Sequence, residues 1–317
     1  MYDVVSVGII VADCIAKPIQ KMPERGKLEF VDKISLHTGG NAATCAINVS
    51  KLGMKSAVLG KIGGDGFGLF FLDELKKHGV ETAGLKIDPE ATTSASLALI
   101  GADGERSFLH SRGANGLLVE ADINYDIVDQ TNIVFVTGCN LMPKFDGPEC
   151  AKFLKKCKEM GKTTAYDVCW DPTGRWMEIT GPAMPYIDYF MPSIEEAVEL
   201  SGGLTDLDEM ADKFLSMGPH TVVIKTGKKG CFIKTKKGER LEVPTYNRIK
   251  AFDTTGAGDS FCSGFLSGLS QGWDLERCAK FANAVGTHCV MAAGASTGIK
   301  PMKDILQFME DYDKGLI

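Results

Sequence analysis

Nine consecutive residues, Asp253-Thr254-Thr255-Gly256-Ala257-Gly258-Asp259-Ser260-Phe261, combine an anion site with a candidate base. Gly256, Ala257 and Gly258 stand where an apolar helical pattern begins, since Phe261, Phe265 and Leu269 recur at four-residue spacing. A helix N-terminus leaves its first N–H groups unpaired and carries partial positive charge. Small residues there let those groups close on a phosphate oxygen. Asp259 follows in the first turn, where a carboxylate beside a bound anion is unfavourable unless it takes part in the reaction. Accepting the proton of an attacking hydroxyl is the chemistry that fits. The same residue types also suit a plainer arrangement, in which the aspartate complements the helix dipole and the small residues allow close packing.

A helix that presents its N-terminus to a ligand must be aimed by a rigid framework. Short apolar runs read as strands at Val4–Val11, Ser56–Gly60, Ile133–Thr137, Thr163–Asp167, Tyr189–Met191, Thr221–Lys225 and Cys231–Lys234. Between them lie helical patterns at Asn41–Leu52, Gly66–His78, Pro148–Met160, Ile194–Ser201, Leu207–Met217 and Leu275–Cys289. This alternation predicts an α/β fold with a mainly parallel sheet covered by helices on both faces. Ligands in such sheets sit beyond the carboxyl ends of the strands. Two stretches break the pattern. Cys14–Leu36 carries strand-like alternation over Lys27–Ile34, and Thr92–Arg112 offers Ser94–Ile100 and Arg106–Ser111 around the turn Gly101-Ala102-Asp103-Gly104. They read as antiparallel strands of one small sheet hanging over the carboxyl edge. That is the position of a lid, drawn from about residues 12–36 and 92–113 within a single domain of 317 residues.

Composition narrows the function. Hydrophobic content of 44% and charged content of 24% describe a globular chain with a sizeable core. The net charge of −6 argues against a nucleic-acid surface. No run of eighteen apolar residues exists, and the N-terminus opens directly into a buried strand, so the expectation is a cytoplasmic protein without signal peptide. Ten cysteines without Cys-x-x-Cys spacing read as reduced, buried small hydrophobes. Cys14, beside Asp13, is the one whose reactivity is worth testing.

Asp253–Phe261 resembles the C-terminal signature of the PfkB carbohydrate kinase family, also called the ribokinase family. Gly39-Gly40-Asn41-Ala42-Ala43 resembles its N-terminal Gly-Gly motif, and the order of elements matches over essentially the whole chain. The resemblance implies a ribokinase-like three-layer sandwich with a small antiparallel lid. It implies transfer of the γ-phosphoryl group of ATP, with Mg²⁺, to a hydroxymethyl group of a sugar or nucleoside. The amides of Gly256, Ala257 and Gly258, with that of Asp259, would form an anion hole, and Asp259 would be the base. Asp13, read as closing the first strand, would bind sugar hydroxyls, for which the two oxygens of a carboxylate are suited. Gly39 and Gly40 would let the backbone approach the sugar, beside Asn41 and Asn140. Arg112, near His110, suits an anionic group on the acceptor or an internal ion pair.

On the nucleotide side the resemblance assigns contacts to Lys225, Gly227, Gly230 and Asn283, and a place near the Mg²⁺ water shell to Glu196. Ser193 stands where the family's Asn-x-x-Glu motif has asparagine, and Thr44 where many relatives carry asparagine. Some relatives bind a monovalent cation, K⁺, beside the anion hole. Asp253 and the Thr255 carbonyl match two of its ligands and Ala292–Ala295 its carbonyl loop, yet Gly298 replaces a side-chain hydroxyl. Apolar lid residues such as Phe30, Ile34, Leu97 and Leu99 lead to the expectation of a homodimer through the lids. Two alternatives remain beside a sugar kinase. One is a nucleoside kinase with a larger, more apolar lid pocket; the other is a silent sugar or nucleotide sensor, which would have no need of Asp259.

Overall fold

The computed structural model describes residues 1–101 and 105–317, so the expected turn at Ala102-Asp103-Gly104 lies outside the described residues. The elements run β1 (Val4–Gly8), β2 (Val11–Ile19), β3 (Lys33–Gly39), α1 (Asn41–Lys51), β4 (Ser56–Gly63), α2 (Gly66–Lys77), β5 (Leu85–Asp88), β6 (Ala95–Gly101) and β7 (Arg106–Ser111). Then come α3 (Tyr125–Asp129), β8 (Ile133–Cys139), α4 (Pro148–Glu159), β9 (Thr163–Val168), α5 (Met177–Thr180), β10 (Tyr189–Phe190), α6 (Ile194–Leu200) and α7 (Leu207–Met217). The chain ends with β11 (Thr221–Lys225), β12 (Cys231–Thr235), β13 (Arg240–Val243), α8 (Ala257–Ser270), α9 (Leu275–Val290) and α10 (Met302–Asp313).

Among the described residues, nine strands form one sheet in the order β13-β12-β11-β10-β9-β8-β1-β4-β5. Every pair from β11 to β5 is parallel, and β12 and β13 add an antiparallel edge. Alternate side chains of the central strands serve opposite layers. Val134 and Val136 pack with Phe153, Leu154 and Phe214 of α4 and α7. Phe135 packs with Cys45 and Val49 of α1 and with Phe261 and Phe265 of α8. Helices on both faces explain why β1, β4 and β8 are mainly apolar and wholly buried, with Ser6, Ser56, Lys61 and Thr137 as buried polar exceptions. No helix is long and apolar enough to cross a membrane among the described residues. The ten cysteines are free thiols, eight of them buried, with Cys14 and Cys169 half-buried.

The smaller sheet has the order β3-β2-β6-β7. β2–β3 and β6–β7 pair antiparallel as expected, but β2 and β6 pair parallel. Both strands leave the same carboxyl edge, β2 after β1 and β6 after β5, so they run side by side.

Two expected strands differ. Val4–Val11 is not one strand: the ladder breaks at Ile9 and Ile10, where the chain passes from one sheet to the other. The Asn115 amide satisfies the freed backbone, with Oδ1 accepting from the Ile10 N–H at 3.1 Å and Nδ2 donating to the Ile10 carbonyl at 2.9 Å. Asp13 therefore lies within β2, opposite His37 and Ser96, rather than at the end of β1. Of the alternating stretch Lys27–Ile34, only Lys33 and Ile34 join a strand. Leu28 and Phe30 are 74% and 88% exposed, and alternation without a surface to bury gives no strand.

Candidate active site

Two helix N-termini converge beyond the carboxyl ends of the central strands. α1 begins at Asn41 directly after β3, and α8 begins at Ala257. Gly256 caps α8 at φ 75°, and a Cβ there would lie 2.3 Å from the Ala295 Cβ, so both conformation and space demand glycine. The Ala257 N–H already donates to the Thr254 carbonyl at 3.2 Å. The N–H groups of Gly258 and Asp259 have no acceptor among the described residues, which leaves them available to an anion. Of the four expected amides, that of Ala257 is thus already engaged.

Asn41 Nδ2 donates to Asp259 Oδ1 at 2.7 Å, while the Cys169 thiol approaches Asn41 Oδ1 at 3.2 Å. Burial raises the Asp259 carboxyl above its ordinary value, and the Asn41 hydrogen bond and the Lys225 charge hold it down. The helix terminus is therefore only part of its setting. Raised proton affinity suits a base.

Lys225, at the end of β11, donates to Asp167 Oδ2 at 2.6 Å, with the two side chains 11% and 3% exposed. A Cβ on Gly258 would stand 3.7 Å from the Lys225 Nζ, so this ammonium adjoins the start of α8. Burial disfavours its charge, but Asp167 and Glu196 outweigh burial and hold it above the ordinary lysine value. Burial pushes Asp167 up to about 7 despite Lys225. Neither Asp167 nor Cys169 stood out in the sequence. The signal for Asp167 was its place at the carboxyl end of an apolar run, which is also where Asp13 was sought.

Two cavities flank this centre. The larger, about 870 Å³, is lined by Lys225, Gly227, Gly230, Ala257, Gly258 and Asn283 among others. Its volume and its N–H-bearing helix end fit a nucleotide with its phosphates. Asn283 spends its amide hydrogens on the Val243 and Pro244 carbonyls, at 3.0 and 3.2 Å, and so staples the cavity wall. The smaller cavity, about 380 Å³, is lined by Asp13, Gly40, Asn41, Ser96, His110 and Arg112 among others. Gly39 lies under Asp13, where a Cβ would fall 2.1 Å from Asp13 Oδ2. Burial raises the Asp13 carboxyl, and Ser96 partly offsets this. Arg112 is exposed and has no carboxylate partner among the described residues.

Other sequence candidates sit outside the cavities. Asn140, at φ 77° and buried, donates to the Cys169 carbonyl at 3.0 Å, so its amide braces the loop that carries Cys169. Ser193 caps α6, its hydroxyl accepting from the Glu196 N–H at 3.3 Å, while Glu196 Oε2 accepts from the Ser193 N–H at 2.8 Å. This capping box explains why serine serves locally at that position. Among the described residues no group of three or more His, Cys, Asp or Glu could hold a metal. A Mg²⁺ ion here would depend on waters and phosphates, as that cation commonly does. Asp253 faces its own loop: Oδ1 accepts from Thr255 N–H and Oγ1, and Oδ2 from the Gly294 N–H.

Comparison with known proteins places this arrangement. The pfkB family carbohydrate kinase profile matches residues 1–302. Probable fructokinase-5 of Arabidopsis thaliana is 31% identical over 290 residues, covering 87% of this chain and 89% of that protein. The 2-dehydro-3-deoxygluconokinase of Bacillus subtilis (strain 168) is 28% identical over 299 residues, covering 90% of each. The structure of Arabidopsis thaliana ribokinase complexed with ribose and ATP shares the fold, with a TM-score of 0.85 at 23% identity over 98% of this chain and 99% of that one. The chain belongs to the pfkB family of carbohydrate kinases, and its fold is ribokinase-like. It is a phosphotransferase with an alcohol group as acceptor.

Proposed function

We propose that the chain transfers the γ-phosphoryl group of ATP to a hydroxyl of a sugar derivative, with Asp259 as the base. The observation that carries this reading is the place of Asp259 between the cavities. Its neighbours Ala257 and Gly258 line the larger one, and its hydrogen-bond partner Asn41 lines the smaller. Mg²⁺-bound ATP, when present, supplies the phosphoryl group and part of its charge neutralisation. Asp259 accepts the hydroxyl proton, the N–H groups of Gly258 and Asp259 hold the phosphoryl oxygens, and Lys225 offsets their charge. Gly227 and Gly230 allow the nucleotide to approach the loop after β11, Glu196 would accept from water on a bound Mg²⁺, and Ser193 holds Glu196 in place.

In the acceptor cavity Asp13 receives sugar hydroxyls, and Gly39 and Gly40 bring the backbone close to them. Arg112 meets an anionic group on the acceptor. Its lack of a carboxylate partner among the described residues and the polar company of Ser96 and His110 favour a sugar acid over a neutral sugar or a nucleoside base. Assays with 2-keto-3-deoxygluconate, fructose, ribose and adenosine are expected to give the highest kcat/KM with the acid. Arg112→Gln should raise its KM by about 10–100-fold with kcat nearly unchanged. A neutral sugar preferred by wild type, with Arg112→Gln indifferent, overturns the assignment.

The exposed lid residues Phe30, Ile34, Phe108 and Leu109 are suited to pairing the small sheets of two subunits. Light scattering is expected to give twice the chain mass of 34.1 kDa, and Phe30→Glu with Ile34→Lys to give the monomer. A monomeric wild type rules this out.

A further inference from the structure

The loop before α8 is held from behind by the protein's own donors. Asp253 has both oxygens engaged, Oδ1 by Thr255 N–H at 3.0 Å and Thr255 Oγ1 at 2.7 Å, Oδ2 by the Gly294 N–H at 3.0 Å. The Cys289 thiol reaches the Thr255 carbonyl at 3.3 Å and the Ala295 carbonyl at 3.4 Å, sharing its one hydrogen between them. Asn48 Nδ2 and Ser260 Oγ also face the Ala295 carbonyl, at 3.4 and 3.3 Å. Lys51 Nζ, from the last turn of α1, donates to the next carbonyl, Ser296, at 2.5 Å. Gly256 packs directly on Ala295, so this second loop sets the position of the helix end that carries the free N–H groups.

The Asp253, Thr255 and Ala295 oxygens are ones that family resemblance would give to a monovalent cation, the Ser296 carbonyl adjoins them, and the set does not fit one. A cation needs several lone pairs converging without competing donors. Here N–H, O–H, S–H and ammonium groups already point at the Asp253, Thr255, Ala295 and Ser296 oxygens. At Gly298, where a hydroxyl would complete a shell, a Cβ would fall 2.0 Å from the His288 carbonyl, so no side chain can be added. The ammonium of Lys51 is a fixed positive charge at the loop, and Lys300 is near enough to act on it, so an arriving cation meets like charge.

We infer that Lys51 and Cys289 are positioning residues for the anion-binding end of α8, and that the chain functions without a monovalent cation. The activity arm of the test rests on the kinase reading; the stability arm does not. Wild-type protein freed of K⁺, Na⁺ and NH₄⁺ is compared in ~0.1 M KCl and in tetramethylammonium chloride of equal ionic strength, which keeps screening equal. The thermal midpoint is expected to agree within about 1 °C, because a cation bound only by the folded state would raise it by several degrees. Turnover with the acceptor found above is expected to agree within about twofold.

Lys51→Met is expected to lose roughly tenfold in kcat with KM for ATP little changed, to recover in part with K⁺ or NH₄⁺, and to be restored by Lys51→Arg. A wild-type midpoint several degrees higher in KCl overturns the inference whether or not any acceptor is phosphorylated. So does K⁺ activation of wild-type turnover by about tenfold or more. A Lys51→Met protein with wild-type kcat, or one slowed but indifferent to every cation, removes Lys51 from the positioning role.

Discussion

Asp259→Asn is expected to lower kcat by about 10²–10⁴-fold while leaving ATP affinity within a factor of about two. The amide keeps the shape of the side chain and removes its proton affinity. Asn41 Nδ2, which donates to Oδ1 at 2.7 Å, can still bond to the new amide oxygen, so the local packing should survive. The N–H groups of Gly258 and Asp259 belong to the backbone and are untouched. A selective loss in kcat is therefore the mark of the base, whereas a parallel loss in ATP affinity would make Asp259 a structural acid of the first helical turn. Because burial lifts the Asp259 carboxyl, the acid limb of the kcat–pH profile should lie above the ordinary carboxylate range, and activity should fall as pH drops through it.

The second large effect concerns stability. Lys225→Met strands the Asp167 carboxylate, 3% exposed, beside Cys262 and within reach of Glu196 and Asp259. Breaking a buried pair in this way typically costs about 3–5 kcal/mol, measurable by denaturant unfolding. The sign with pH follows from Asp167. Its folded value, about 7, lies above the unfolded carboxylate value, so the stability it contributes is greatest under acid conditions and is lost as pH rises toward 7. Without Lys225 that folded value rises further. The deficit of the variant should accordingly be larger at about pH 8 than at about pH 6, where Asp167 can take up a proton. Equal stability of variant and wild type at both would show that the pair is not a structural element. Activity should fall too, since Lys225 adjoins Gly258 at the start of α8.

The large sheet was legible because parallel strands buried on both faces have to be continuous apolar runs. Leu207–Met217 and Thr221–Lys225 lie where periodicity put them, to the residue. The small sheet was harder. Its strands are half-exposed, so alternation over Lys27–Ile34 was mistaken for pairing that occurs instead at Lys33–Gly39. Val4–Val11 looked like one strand because the break at Ile9 and Ile10 is stabilised by Asn115, more than a hundred residues away. β5 and β13 are four-residue strands, too short to show alternation, whereas α10 went unread although Met302, Ile305, Leu306 and Met309 recur at helical spacing.

The site shows the same division. Residues whose constraint is local could be read, such as Gly256 with its positive φ at a helix cap. Pairings across the chain could not. The ion pair of Asp167 with Lys225 and the contact of Cys169 with Asn41 join segments with no sequence relation. Nor could a residue's direction be read, and Asn140 turns its amide inward to the Cys169 carbonyl.

The central claim is that Asp259 takes the proton of an acceptor hydroxyl while the start of α8 holds the phosphoryl group. Single-turnover transfer from γ-labelled ATP tests it most directly, with wild-type and Asp259→Asn protein at saturating acceptor and equal ATP occupancy. The label is expected on the acceptor with wild type, and at a rate lower by about 10²-fold or more with Asp259→Asn, whose bound ATP remains intact. Label reaching the acceptor at equal rates in both proteins would contradict the account.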